Sequence, residues 1–174
     1  MYVYRIASKE YIEDLSGEGA RLYGGRWNRE GVAVLYTASS LSLAAWEYWV
    51  HLDDSITLDQ NAFAAATIEI PDSSILELPP LTPALADNEE YLFSLTDNWI
   101  VKNEHLCMKV PSFVIEGEFN YLINPLHPLA KANMGLVKVN SYSFDKRAFG
   151  KTLVEKRSLS VIRSLRKILS NFIR

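Results

Sequence analysis

A single acidic residue inside an otherwise apolar helical run limits what this chain can fold into more than any other feature. From Leu41 to Leu52 the sequence reads LSLAAWEYWVHL. Leu41, Ala44, Ala45, Tyr48, Trp49 and Leu52 share one helical stripe, while Leu43, Trp46 and Val50 cover most of the opposite side. Ser39 or Ser40 supplies the N-cap. Glu47 falls off the main stripe, flanked about one turn away by Leu43 and Val50. A charge left unpaired in such company costs on the order of several kcal/mol or more, so the carboxylate needs a cation or a ligand hydroxyl.

The residues that feed this helix are unusual as well. Gly24-Gly25 can take backbone angles closed to other residues, and Asn28 to Gly31 reads as a tight turn, which fixes Arg26 at the lip of a hairpin. Val32 to Thr37 reads as a strand buried on both faces and carries Tyr36. Upstream, Tyr2 to Ala7 alternates as a first strand with Arg5 between Tyr4 and Ile6, where a solvated edge charge and a functional arginine are equally compatible with the pattern.

Downstream, Ala62 to Ile70 reads as a strand and Asp72 to Asp87, with Pro79, Pro80 and Pro83, as an irregular but packed connection. Glu89 to Asn103 has helical spacing, Val110 to Ile115 resumes strand character with Pro111 at its entry, and Val137 to Phe144 is the last strand. Asn124-Pro125 and His127-Pro128 impose extended backbone before each proline. Residues 151 to 174 differ in kind: seven basic side chains against Glu155 give this segment a net +6 within a chain of net -3. Its leucines and isoleucines recur at helical spacing, so residues 150–174 form a basic amphipathic helical extension to a domain spanning 1–149.

With 174 residues, 48% of them apolar, the chain has room for one real core rather than two. The negative total excludes wholesale nucleic-acid binding, and the lone Cys107 excludes an internal disulfide and indicates a reducing compartment. The start MYVYRIASKEY has no signal-peptide pattern, and no apolar run reaches membrane-spanning length, so a cytoplasmic location is expected.

Several chemistries can be set aside. His51, His105 and His127 lie in unrelated elements without partners at ligand spacing, so no metal is expected. There is no P-loop, no dinucleotide-binding glycine fingerprint and no nucleophile elbow. Glycosidase chemistry needs two carboxylates at a defined separation, and Glu47 alone has a compelling setting. From the residues alone, Tyr36 is more simply a core tyrosine and Ser112 a turn or cap residue, Asn124 has an ordinary turn role, and Arg26 and Glu47 could form a buried ion pair fixing the hairpin on the helix.

Five short motifs, in order, resolve this anonymity. GGRWN at 24 to 28, VLYTA at 34 to 38, the Ala44-x-x-Glu47 spacing, VPS at 110 to 112 and NYLINPLHP at 120 to 128 closely resemble the RES-domain toxin family, over Tyr4 to about Phe149. The resemblance implies an α+β fold with the split, twisted β-sheet core and flanking helices of ADP-ribosyltransferases. It also implies an enzyme that consumes NAD+ as the toxin of a bacterial toxin–antitoxin pair, without metal or further cofactor. Carried over residue by residue, the family's catalytic positions fall on Arg26, Tyr36 and Glu47, and NAD-binding positions on Arg5, Ser112 and Asn124.

Under that resemblance Glu47 accepts hydrogen bonds from the ribose and stabilises developing positive charge, and Arg26 with Arg5 holds the pyrophosphate. Tyr36 packs on nicotinamide, and Ser112 orients the ribose or the amide. A helix-turn-helix antitoxin is the implied partner, and the apolar stripe of the C-terminal helix is expected to pack on a partner or a second copy, with membrane-surface or nucleic-acid contact as the alternative. The acceptor stays open among water, phosphate and a protein side chain, and a non-enzymatic nucleotide- or partner-binding module is the rival from another class. Phe113 departs from the family, which usually has a small residue after the serine.

Overall fold

The computed structural model describes residues 1–51 and 62–145. Within the compact unit Met1–Tyr142, the first elements are β1 (Tyr2–Ser8), α1 (Glu18–Tyr23), β2 (Leu35–Ala38) and α2 (Leu41–Val50). The middle of the chain supplies β3 (Phe63–Glu69), β4 (Ile75–Glu77), α3 (Pro83–Ala86) and α4 (Glu89–Lys102), and the end supplies β5 (Cys107–Pro111), β6 (Phe119–Ile123), α5 (Pro128–Asn133) and β7 (Gly135–Tyr142). The seven strands form one mixed sheet in the order β4-β5-β6-β2-β1-β3-β7, parallel between β4 and β5 and antiparallel elsewhere. This is an α+β fold.

The sheet is divided at its centre. β1 pairs with β3 along all seven of its residues, but with β2 at one register position, Tyr4 opposite Ala38. Strand alternation then sorts the side chains. Val3 and Ala7 of β1 join Tyr121 and Ile123 of β6 in one buried cluster. On the other face two clusters lie side by side. Leu122 and Tyr36 pack with Trp27, Met108 and the α4 residues Leu92 and Trp99, whereas Ile6 and Ala38 pack with Leu43 and Ala44 of α2. The boundary between these two clusters follows the β1/β2 division.

Two expectations change and a third narrows. The strand through Tyr36 starts at Leu35 rather than Val32, because the Val32 carbonyl accepts from Asn28 Nδ2 at 3.0 Å and its N–H bonds to the Arg29 carbonyl at 3.3 Å, so both are engaged in the preceding turn. The strand before Ser112 is Cys107–Pro111, which puts Pro111 at its exit; beyond it the Ser112 Oγ accepts from the Val114 and Ile115 N–H groups and turns the chain. In α2 the stripe packs through Ala44, Ala45 and Tyr48, joined by Leu43 from the other side, while Leu41 at the helix start and Trp46 and Val50 of the opposite side are exposed. The short helices α1 and α5 had no periodic signal. The expected C-terminal helix lies outside the described residues.

The turn that carries Arg26 is held from beneath by two residues. Asn28 is buried, and its Nδ2 donates to the carbonyls of Ala20, Arg29 and Val32 at 2.9–3.0 Å. Its Oδ1 accepts from the Tyr36 hydroxyl at 2.7 Å, and that hydroxyl in turn accepts from the Trp27 N–H at 3.1 Å. A Cβ on Gly25 would stand 2.7 Å from the Tyr36 oxygen, so the close approach requires glycine there. Burial raises the Tyr36 phenol to about 12, so it stays a protonated donor across the working range.

Two outcomes follow from this fastening. Asn28→Ala removes one partner from four part-buried groups and is expected to cost about 2–4 kcal/mol, read as a lowered urea midpoint with unchanged slope. Tyr36 has a folded value above its unfolded one, so its contribution is complete below about pH 10 and is lost as pH rises toward 12, by about 2–3 kcal/mol. Unfolding free energy measured between pH 9 and 12 should therefore fall less steeply in Tyr36→Phe than in the wild type.

Candidate functional site

A cavity of about 840 Å³ opens along the division of the sheet, bordered by β1, β2, α2 and the turn after α1. Glu47 enters it from α2, whose start is fixed by Ser40: the Ser40 Oγ accepts from the Leu43 N–H at 3.0 Å. The partners of its carboxylate are neutral. Ser112 Oγ donates to Oε1 at 2.8 Å, and Asn120 Nδ2 makes a close hydrogen bond to the same oxygen. Among the described residues Glu47 forms no ion pair, so the alternative of a buried Arg26–Glu47 bridge does not apply.

This arrangement has a chemical consequence. Two donors on Oε1 fix the rotamer of the carboxylate without cancelling its charge. A neutral cage also leaves the anion able to stabilise positive charge developing nearby, which an adjacent arginine would blunt. The Ser112 hydroxyl does double service, since it also accepts from two N–H groups of its own turn.

The two arginines sit differently. Arg5 lines the cavity from β1, and its Nη1 donates to the carbonyls of Asp14 at 2.6 Å and Ile12 at 3.4 Å. Desolvation depresses its guanidinium, with opposing contributions from Asp14 and Tyr48. It belongs to a central strand, so the option of a solvated edge charge is removed. Arg26 projects from the Gly25–Asn28 turn, stacks 4.0 Å from the centroid of the Phe113 ring and donates from Nη2 to the Ala86 carbonyl at 3.0 Å, with Asp87 3.9 Å away. Its turn is clamped again next door, where Arg29 pairs bidentately with Glu90 and stacks on Phe93 of α4.

Of the six residues singled out in the sequence, Arg5, Arg26, Tyr36 and Glu47 line one cavity, and Ser112 joins them through Glu47. Asn124 does not. It follows the far end of β6, where its Oδ1 accepts from the Leu126 N–H at 2.9 Å and its Nδ2 donates to Asn103 at 3.1 Å, closing a turn. Asn120, four residues or about 13 Å back along the strand, stands beside Glu47 instead. Sequence reasoning missed Asn120; the signal was its position four residues upstream on the same strand face, opposite Ala38 of β2. His51, the C-cap of α2, also lines the cavity.

Comparison with known proteins bears on the whole domain. The RES domain matches residues 2–145. A protein named Toxin Res from Yersinia enterocolitica serotype O:8 is 37% identical, over 84% of this chain and 99% of its own length. A protein named Prs ADP-ribosylating toxin, from Sphingobium sp. strain YBL2, is also 37% identical, over 80% of this chain and 89% of its own. Among solved structures, a chain of the Mycobacterium tuberculosis MbcT-MbcA toxin-antitoxin complex superposes with a TM-score of 0.62 at 18% identity, covering 82% of this chain and 84% of that one, a likeness of fold. The chain belongs to the RES domain family.

Proposed function

We propose that this protein is the toxin of a toxin–antitoxin pair and arrests growth by cleaving the bond between nicotinamide and ribose in NAD+. The observation that carries this reading is the Glu47 carboxylate, held by neutral donors in a cavity that two arginines also line. The family match and the toxin names of its relatives support it.

Nicotinamide in NAD+ is already a cationic leaving group. When the C1′–N bond breaks, its electron pair returns to the pyridinium ring and no general acid is needed, which fits a site with one well-placed carboxylate. Glu47 then faces the oxocarbenium-like ribose, while Tyr36 borders the nicotinamide and Ser112 and Asn120 keep the carboxylate aimed. Arg26 and Arg5 meet the pyrophosphate. A volume of about 840 Å³ suits a dinucleotide, within the roughly 300–1,000 Å³ of small-molecule sites. Water or phosphate completes the reaction at C1′, giving ADP-ribose or its phosphate ester.

The ADP-ribosylating relative keeps a second reading open, transfer of ADP-ribose to a protein side chain. NAD+ labelled in the adenine separates the two, because transfer leaves label on protein and degradation leaves it in small molecules. The antitoxin partner belongs to this proposal as well. Among the described residues no helix is long and apolar enough to cross a membrane.

Glu47→Gln preserves the shape of the site and removes the charge, so NAD+ turnover should drop by on the order of 10²-fold or more with growth arrest abolished and the unfolding midpoint nearly unchanged. Asn120→Ala leaves the charge but loosens its aim; turnover number is expected to fall about tenfold or more with a smaller change in KM. If the wild-type protein leaves NAD+ intact over prolonged incubation, with and without phosphate, the proposal fails.

A further inference from the structure

One wall of the cavity that holds Glu47 carries an aromatic ring held from two sides. Phe113 follows Ser112 directly, so its Cα lies about 3.8 Å from that of the residue whose hydroxyl fixes Glu47. Phe113 and Glu47 line the same cavity. The Arg26 guanidinium lies 4.0 Å from the ring centroid, and the ring of the buried Trp27 stands 5.8 Å away at a tilt of 34°. Even so, 41% of Phe113 remains accessible. The two contacts restrict the swing of a ring that is otherwise substantially exposed.

We infer that Phe113 limits the width of the nucleophile that reaches C1′ beside Glu47, favouring water and the smallest hydroxylic nucleophiles over branched ones and turning away a side chain carried on a protein surface. The inference rests on the NAD+-cleaving function proposed above and names the acceptor class for that site. The step it governs is balanced: the C1′–N bond breaks with its electron pair on nicotinamide, the incoming oxygen bonds to C1′, and its proton passes to solvent. No oxidant, metal or further reactant takes part.

Hydroxylic competitors measure the opening directly. The full-length protein is incubated with NAD+ and equal concentrations of methanol, ethanol or 2-methyl-1-propanol, primary alcohols of similar reactivity and growing width. The ratio of O-alkyl ADP-ribose to ADP-ribose is then read by mass spectrometry. Because it is a ratio of products, it does not depend on how much enzyme is folded or how fast it turns over.

Wild-type protein should use methanol over 2-methyl-1-propanol by about tenfold or more. Phe113→Ala should erase most of that preference, Phe113→Leu should relax it in part, and Phe113→Tyr should retain it. Equal use of the three alcohols by the wild type, an unchanged preference in both Phe113→Ala and Phe113→Leu, or label from NAD+ bound to protein in the wild type would each overturn the inference. Absence of NAD+ loss from the wild type overturns the proposed function and this inference together, whereas NAD+ loss with a flat alcohol series overturns the inference alone.

Discussion

The hydrogen bonds that Ser112 and Asn120 donate to Glu47 are where the architecture converges. A carboxylate on an apolar helix could have been neutralised by an arginine, and such a pair would have suited the fold at least as well. Instead its partners come from the end of β5 and the start of β6, strands on the opposite side of the divided sheet from β1 and β3. The bonds therefore fasten α2 across the division and hold the charge at its centre. Removing either donor leaves a half-caged anion, so the constraint is structural and chemical at once.

The same division explains why the cavity is where it is. With full pairing, β1 and β2 would have brought the clusters under α2 and α4 into one continuous layer. Their single shared register position keeps Ile6 and Leu43 in one cluster and Trp27 and Leu122 in another. Tyr36 stands on the seam, packed on the α4 side by its ring and tied by its hydroxyl to Asn28 and Trp27. A tyrosine here is both core and lining, which is why its sequence context alone supports either role.

Legibility in the sequence followed the kind of signal each element carries. β1, β3, α2 and α4 are visible because periodicity and caps agree; α1 and α5 are six residues each, too short for a stripe. The start of β2 was misplaced because valine and alanine at 32 to 34 look like strand, while the bonds that hold Val32 out of the ladder come from Asn28 and Arg29 in the turn just before it. Glu47 was legible as an anomaly that demanded a partner. What that partner was could not be read, because Ser112 and Asn120 lie 65 and 73 residues away and carry no local mark of their role. Asn124 was singled out by motif position, whereas the asparagine that meets Glu47 is Asn120, at the other end of β6.

The two arginines illustrate how a site can be both built and available. Arg5 is committed to backbone carbonyls in a desolvated setting, so it is rigid and its positive potential is already directed. Arg26 has weaker ties: a neutral carbonyl, a largely exposed Asp87 at 3.9 Å and an aromatic face. Exposed ion pairs contribute about 0–1 kcal/mol, whereas a charge-assisted bond to phosphate is roughly twice as strong as one to a neutral carbonyl. On the proposed reading, a diphosphate in the cavity would draw the Arg26 headgroup away from Ala86 without disturbing the turn beneath it, because that turn is held by Asn28, Tyr36 and Arg29 and not by Arg26 itself. The fastening of the turn by Asn28 and Arg29 thus leaves Arg26, between Gly25 and Arg29 in the same five-residue stretch, with its own weaker ties.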